Sequence, residues 1–581
     1  MKKSSEYFNH ELSLLREHGN RFAKDYPSLA PMLSGTSSDP DVERLIESAA
    51  YLTATLKEKL DGDLPEVINE LTNLLFPHFL RDVPSSTIIE FTPNTLLKES
   101  IIIKKNTSVS SRPIEGTRCN YTTTRDVEIH PFKLTHARCN DVSGKPTEIQ
   151  LSFELNGITL SDLDIDQIHL YLSGEHKEAF ELYFLLLQKI NKITLQNHND
   201  PQCSVRLNSQ HVASMGFSSK DSLLPYPSNS FPGYRILQEY FHCPDKFLFL
   251  DISGFNKWSN RGEGFHFDII FTLKENEKPS FKLNEDYFSL FAVPAINIFT
   301  HEADPIRLDH KKSEYLVRPS GSDPSHYNVY TIRHVQGFTK GSANQITYQP
   351  FQMFLHQNAA EKGYTYQTKQ RKSPLDRAVD TYISVAYPPD KSIEIATISL
   401  EILCTNGHLA NGLNKNEITY ATGSTPEYVS FKNITTPTGN IDSPAGDNLL
   451  WKFISHLSLN YISISSADNF QQILNLYNFK SVKNRVSFLA NQKRIHGIQT
   501  LNTSPSDRLV QGVLMRGRKI EMEIKSENFS GTGDMFLFCS ILDYFLGIYA
   551  SLNSFTHFIV FDLSTGEKFK WPARMGEKNL I

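Results

Sequence analysis

Through residues 6–80, apolar side chains recur at three- and four-residue steps, the spacing that puts them on one face of a helix. Phe8, Leu12, Leu15, Phe22 and Tyr26 make a first coiled-coil-like stripe, interrupted at Gly19. Asp39 offers an N-cap with Pro40 at the first helical position, and Val42, Leu45, Ala49, Leu52 and Leu56 continue as a second heptad seam. A third helix is predicted from Asp63 and Pro65 through Val67, Leu71, Leu74 and Leu75, to be ended or kinked at Pro77. Three such helices can close on themselves as a bundle or leave a seam open for a partner. Periodicity is compatible with both.

From Thr87 the period changes to two. Ile149, Leu151, Phe153 and Leu155 alternate with polar residues and run into Asn156-Gly157, a hairpin signal. Phe265, Phe267, Ile269, Phe271 and Leu273 predict a half-buried strand, and Ile398, Leu400, Ile402 and Cys404 another. A helix is predicted over 174–187, with Phe180, Tyr183, Phe184 and Leu187 on one side. The polar stretch 191–211 reads as a loop or an edge strand, and 319–327 and 356–376 as surface loops.

Between these lies FPGYRILQEYFHCPDKFLFLDISGF, residues 231–255. Pro232 and Gly233 open a helix whose inner face carries Tyr234, Leu237, Tyr240 and Phe241. Pro244 stops it, having no amide donor and biasing Cys243 away from helical angles. Phe247 to Ile252 is then a buried strand. The whole unit reads as core, with no side chain set up for chemistry.

With 581 residues the chain exceeds a single hydrophobic core, so several domains are expected. Its 59 basic and 64 acidic residues give no cationic excess, which argues against nucleic acid as a main partner. The basic-aromatic run Lys568-Phe569-Lys570-Trp571 reads as a strand packing its aromatics inward. The six cysteines form no CxxC pair, so neither a zinc site nor a disulfide framework is indicated, and a reducing cytoplasm fits. The start of the chain, MKKSSEYFNHEL, lacks the apolar core of a secretory signal. One apolar run, Met535 to Leu552, approaches the length of a membrane span, but Asp543 interrupts it and a buried helix is expected instead.

Catalytic signatures are missing: there is no nucleophile elbow, phosphate loop, dinucleotide fingerprint or HExxH helix. His301, Glu302 and Asp304 lie close in sequence, without a further ligand at metal spacing, and read as a solvated turn. His176-Lys177-Glu178 has no downstream PCxxC and reads as the start of a helix.

Ordered blocks across nearly the whole chain carry a resemblance. YFNHELSLLREHGNRFAKDYP (7–27), DPDVERLIESAAYL (39–52), LPEVINELTNLLFPHFLRDVPS (64–85), GYRILQEYF (233–241), PAINIF (294–299), WKFISHLSLN (451–460) and LGIYASLNSF (546–555) resemble the TssF family, also called VasA or ImpG, of type VI secretion baseplate proteins. TSVSSRPIEGTRCNYTTTRDV (107–127) resembles a segment shared with contractile-phage baseplate proteins. One departure is Gly407, which stands after Cys404-Thr405-Asn406 where the family usually has arginine.

The resemblance implies an α+β, multi-domain fold: an N-terminal helical bundle followed by β-rich domains with interspersed helices, similar to contractile-phage baseplate wedge proteins. The expected regions are a helical assembly domain at 1–85, a β-rich domain at 86–230, a central mixed domain with a β-rich arm at 231–420, and a C-terminal α/β region at 421–581. A structural role is implied, without enzymatic activity, cofactor or metal, in the cytoplasm and docked at the inner membrane through other components. The implied partners are TssG and a second TssF copy, which form a wedge, then TssK, TssE and the VgrG hub that the wedges surround, with the Hcp tube and sheath that the baseplate primes. Phe8, Leu12, Leu15, Phe22, Leu45, Leu52 and Leu56 are the candidate interface or bundle-core residues. Other readings are a contractile phage-like tail baseplate protein, or a carbohydrate-active or carbohydrate-binding protein that uses its β domains as a cleft.

Overall fold

The computed structural model describes residues 8–9, 12–13, 15–16, 44–55, 78, 81–226, 232–309, 311–321, 323, 325–339, 345–351, 363–372, 379–386, 396–442, 466–479, 485–510, 513–548, 550 and 554–576. The chain divides into two compact units, Met1–Leu80 with Pro444–Ser458, and Arg81–Ser443 with Leu459–Ile581. In the first unit the described residues are helical at 8–9, 12–13, 15–16 and 44–55. The expected third helix falls outside them. The architecture they support is mixed and strand-rich, and a closed N-terminal bundle is not supported: Leu45, Tyr51 and Leu52 of 44–55 point to solvent rather than to a bundle core.

The second unit is built from several sheets. Six strands lie in the order Ile418–Ala421, Ser108–Ile114, Thr117–Thr123, Ala292–Ile296, Ser86–Pro93 and Val429–Asn433, every pair antiparallel. Ile89 is paired with Val293 on one side and Asn433 on the other. This sheet therefore takes strands from stretches of chain on both sides of positions 230 and 420.

A five-stranded sheet runs Ser204–Asn208, Ile190–Asn197, His266–Leu273, Glu148–Leu155 and Phe132–Asn140. His266–Leu273 is central and largely covered on both faces, not on one: Phe267, Ile269, Phe271 and Leu273 are buried, and so are Asp268 and Thr272 opposite them. Asp268 is tolerated there because Ser152 Oγ donates to it at 2.6 Å and His198 Nδ1 lies 2.9 Å away. Asn156-Gly157 turns the chain with Gly157 at φ 72°, but it closes no hairpin. The next strand, Gln167–Leu172, belongs to a different, four-stranded sheet ordered Val212–Ser214, Phe249–Ser253, Gln167–Leu172 and Phe288–Leu290.

An eight-stranded sheet is centred on Ala396–Thr405, which pairs with Phe299–Glu302, Ile306–Leu308 and Asn328–Thr339. Part of the stretch expected as a surface loop, Thr365–Lys372, is a strand here, paired along its full length with Val379–Ala386. Two buried asparagines tie this sheet to the six-stranded one. Asn297 Nδ2 donates to Asn406 Oδ1 at 2.8 Å while the Asn406 amide donates back to Asn297 Oδ1 at 2.7 Å. The chain leaves that junction through Gly407 at φ 50°, where a side chain would meet Asn328 Nδ2 at 2.7 Å.

Five helices of this unit are described along their length: α1 (His176–Gln188), α2 (Pro232–His242), α3 (Ala467–Tyr477), α4 (Arg485–His496) and α5 (Thr532–Ile548). α5 is the crossover between Val513–Ile524 and Ser554–Asp562, which run parallel and so require a long connection. It carries the expected apolar run and is buried almost all round, against α1, α2 and Ser554–Asp562. Among the described residues no helix is long and apolar enough to cross a membrane. The short strand Lys568–Lys570 pairs with Ser554–Asp562, and Trp571 after it stacks on Phe536 of α5 at 5.4 Å.

Asp543, inside α5, is fully covered and pairs with Arg574. Burial nonetheless dominates and pushes its carboxyl up to about 6, against the opposing pull of Arg574. The folded state thus holds this proton more tightly than the unfolded chain. That contribution to stability is complete below the unfolded value of 3.8 and disappears as pH rises through about 6. Asp543→Asn should therefore gain stability relative to the wild type between about pH 4 and pH 7, by up to roughly 3 kcal/mol. Urea midpoints of the two proteins at both pH values measure it, and a constant difference would refute it.

Candidate assembly interface

Within 44–55 the helix turns its small residues inward. Ala50 and Ala54, one turn apart, are buried, and Ile46, one turn earlier, is half-buried. Leu45 and Leu52, seven residues apart on another face, are 70% and 64% exposed, and Tyr51 beside Leu52 is 63% exposed. The heptad seam read from the sequence is thus the outward face. Ser48, Thr53 and Thr55 return their hydroxyls to the carbonyls of Arg44, Ala49 and Tyr51 at 2.7, 2.8 and 2.8 Å, so these hydroxyls are satisfied locally. What remains unsatisfied is apolar area.

Phe8, Leu12 and Leu15 are each half-buried and followed by an exposed residue, Asn9, Ser13 and Arg16. One helical stripe is in partial contact along its length. Phe22 and Leu56 lie outside the described residues. Tyr51 was missed by the heptad count because it stands one position before the seam, and its size is the signal that would have found it.

In the other unit one helix is wholly enclosed. At its centre, α2 is buried on every side from Gly233 to His242, so its polar residues are covered as well as its apolar face. Glu239 receives the Leu223 and Leu224 amides at 2.8 and 3.1 Å on one oxygen and the Lys246 ammonium on the other. His242 Nε2 lies 2.9 Å from the Pro84 carbonyl, and burial pulls this imidazole down to about 4, keeping it neutral. Sequence reasoning gave no sign of the Glu239–Lys246 pair, whose members are separated by the Pro244 turn.

His301 Nε2 lies 2.9 Å from the Ser320 carbonyl, and among the described residues no group of His, Cys, Asp and Glu is placed to hold a metal ion. The six cysteines are unpaired. Burial pushes the Cys119 thiol up to about 11 and those of Cys243 and Cys404 up to about 12, which disfavours the thiolate a nucleophile needs.

The family model described as "Type VI secretion system, TssF" matches residues 1–578. This chain belongs to the TssF family of type VI secretion proteins. It is 28% identical to "Type VI secretion system component TssF1" of Pseudomonas aeruginosa strain PAO1, over 99% of this chain and 98% of the relative. Its fold is similar to a chain in a cryo-electron microscopy structure of a type VI secretion TssK-TssF-TssG baseplate subcomplex, with TM-score 0.80 and 27% identity over 93% of this chain and 99% of the other. A second likeness, to a chain of a type VI secretion baseplate complex, has TM-score 0.64 and 24% identity over 99% and 100% of the two chains, and bears on the fold alone. Seen against the TssF family, the buried Asn297–Asn406 pair unites two of the family-like sequence blocks, PAINIF and the CTN that ends strand Ala396–Thr405.

Proposed function

We propose that this chain is a structural, non-enzymatic subunit of a type VI secretion baseplate, assembling with TssK- and TssG-like partners through its N-terminal helices. The observation that carries the reading is the outward apolar seam of 44–55, on a chain matched by the TssF family along almost its whole length. Large leucines held out in water while alanines take the buried side suit a face completed by another chain's helices. Residues 1–85 act as the assembly domain, and the sheets of the rest of the chain act as rigid arms. In the finer form of the proposal, two copies and a TssG-like chain form a wedge, and wedges surround a VgrG hub, recruit TssE and prime the Hcp tube and sheath. The assembly works in the cytoplasm, against the inner membrane.

The double substitution Leu45→Asp/Leu52→Asp tests it. Each leucine buried at an interface contributes about 1.5–3 kcal/mol, so losing both weakens association by roughly a hundredfold or more. Co-expression with a TssG-like chain, affinity purification and light scattering should show the complex lost while circular dichroism and thermal unfolding of the variant stay as in the wild type. An undiminished complex would place the interface elsewhere.

A further inference from the structure

On the surface of the second unit, between the start of α2 and the end of α5, lies a cavity of about 360 Å³. Its walls are part apolar, with Pro232, Ile548, Pro572 and Met575 among them, and part polar, with Ser219 and two arginines, Arg235 and Arg574. Arg574 is already committed. It pairs with buried Asp543 and lies over the Tyr544 ring at 5.0 Å, so its charge is balanced and its plane is held.

Arg235 is different. Its side chain is 3% exposed, and its Nη1 is buried without a hydrogen-bond partner among the described residues. The nearest carboxylate oxygen, Glu239 Oε2, is 3.6 Å away, beyond hydrogen-bond length, and is held by Lys246. Leaving a buried guanidinium donor unpaired costs free energy that a fold ordinarily avoids. A ligand accepting from that group removes the cost.

The charge balance selects the ligand. Arg574 has Asp543 to itself, whereas Glu239 is shared between Lys246, which it holds by a hydrogen bond, and Arg235 at 3.6 Å, so Arg235 is the cation at this cavity with no carboxylate of its own within 4 Å. One charge matches a monoanion rather than a phosphate dianion, and a planar carboxylate suits the guanidinium fork. The apolar remainder of the wall calls for an apolar body behind that head group. We propose that this cavity is a binding site for an organic monocarboxylate, with the head group on Arg235 beside Arg574 and the body against Tyr544, Ile548 and Met575.

The test uses the full chain and sodium hexanoate as the probe, with 1-hexanol and hexylamine as its neutral and cationic counterparts, followed by ligand-detected NMR titration. Hexanoate is expected to bind saturably and the other two not. Arg235→Gln should weaken hexanoate by about tenfold or more, the loss of a charge-assisted hydrogen bond. Arg235 is buried and its replacement could unsettle the fold, so Ala573→Trp, which fills the cavity from a half-exposed rim position, provides a second variant. It should abolish binding with thermal unfolding unchanged. Equal binding of hexanol, binding that survives Ala573→Trp, or no saturable hexanoate binding to the wild type would each overturn the proposal. A short peptide ending in a free leucine carboxylate separates the sources. Tighter binding than hexanoate, lost on C-terminal amidation, assigns a polypeptide terminus as the ligand; equal or weaker binding assigns a free small carboxylate.

Discussion

Gly533→Ala is expected to destabilise the protein by about 3 kcal/mol or more, the upper end of what forced overpacking costs. Gly533 is the second residue of α5, where this helix crosses α1. A Cβ there would stand 2.1 Å from the Phe180 carbonyl oxygen, 2.4 Å from the Phe180 carbonyl carbon and 2.7 Å from the Glu181 amide nitrogen. All three are backbone atoms of α1. No rotamer change can relieve the clash, so the helices must separate, and with them the aromatic contacts of Phe536 with Phe184 and Tyr183. Gly531, two residues earlier, has nothing within 4 Å of where a Cβ would stand and supplies the control. Gly531→Ala should stay within about 0.5 kcal/mol of the wild type in the same denaturant titration. Equal stability of the two variants would mean that α1 and α5 do not cross this closely.

Lys246→Met is the second large effect. The substitution keeps the volume and removes the cation that neutralises Glu239, a residue with no exposed side-chain surface. Breaking a buried pair by deleting one member typically costs about 3–5 kcal/mol, because the charge left behind is unhydrated and has lost its hydrogen-bonded cation. Arg235, 3.6 Å away, is too distant to replace the lost hydrogen bond. The double variant Glu239→Gln/Lys246→Met removes both charges and should recover part of the loss, since the glutamine oxygen can still accept from the Leu223 and Leu224 amides. Urea unfolding of the single and double variants reads this directly. A double variant less stable than the sum of its singles would show that the pair is not a unit.

Much of the local structure was legible because it depends on neighbours in the chain. The helix around Tyr234, its stop at Pro244 and the strand after it appear as α2, a short 3-10 turn over Pro244–Phe247 and Phe249–Ser253. The predicted helix over 174–187 is α1, displaced by a residue or two. The long apolar run that could have been taken for a membrane span is α5, whose all-round hydrophobicity reflects enclosure by protein.

What was misread depended on remote segments. His266–Leu273 alternates like a strand with one wet face, yet its polar face is covered, because Ser152 and His198 come from elsewhere in the chain to partner Asp268. Asn156-Gly157 has hairpin chemistry, but the strand that follows pairs in another sheet. The seam through Leu45 and Leu52 was correctly placed on one face of a helix; its direction was not readable, since Ala50 and Ala54 offer less apolar area and still take the buried side.

By itself, then, the sequence determined the type of most elements, the absence of a recognisable catalytic motif and, through ordered blocks along its length, the family. Hydrophobic period, proline stops and turn chemistry act over a few residues, so they survive in a single chain read in order. Only the tertiary structure decided which strands share a sheet, as where Ile89 sits between Val293 and Asn433, and which charged groups go inside. Those choices are made by total buried area and by the pairing of every polar group taken from water, sums over residues that meet only when the chain has folded.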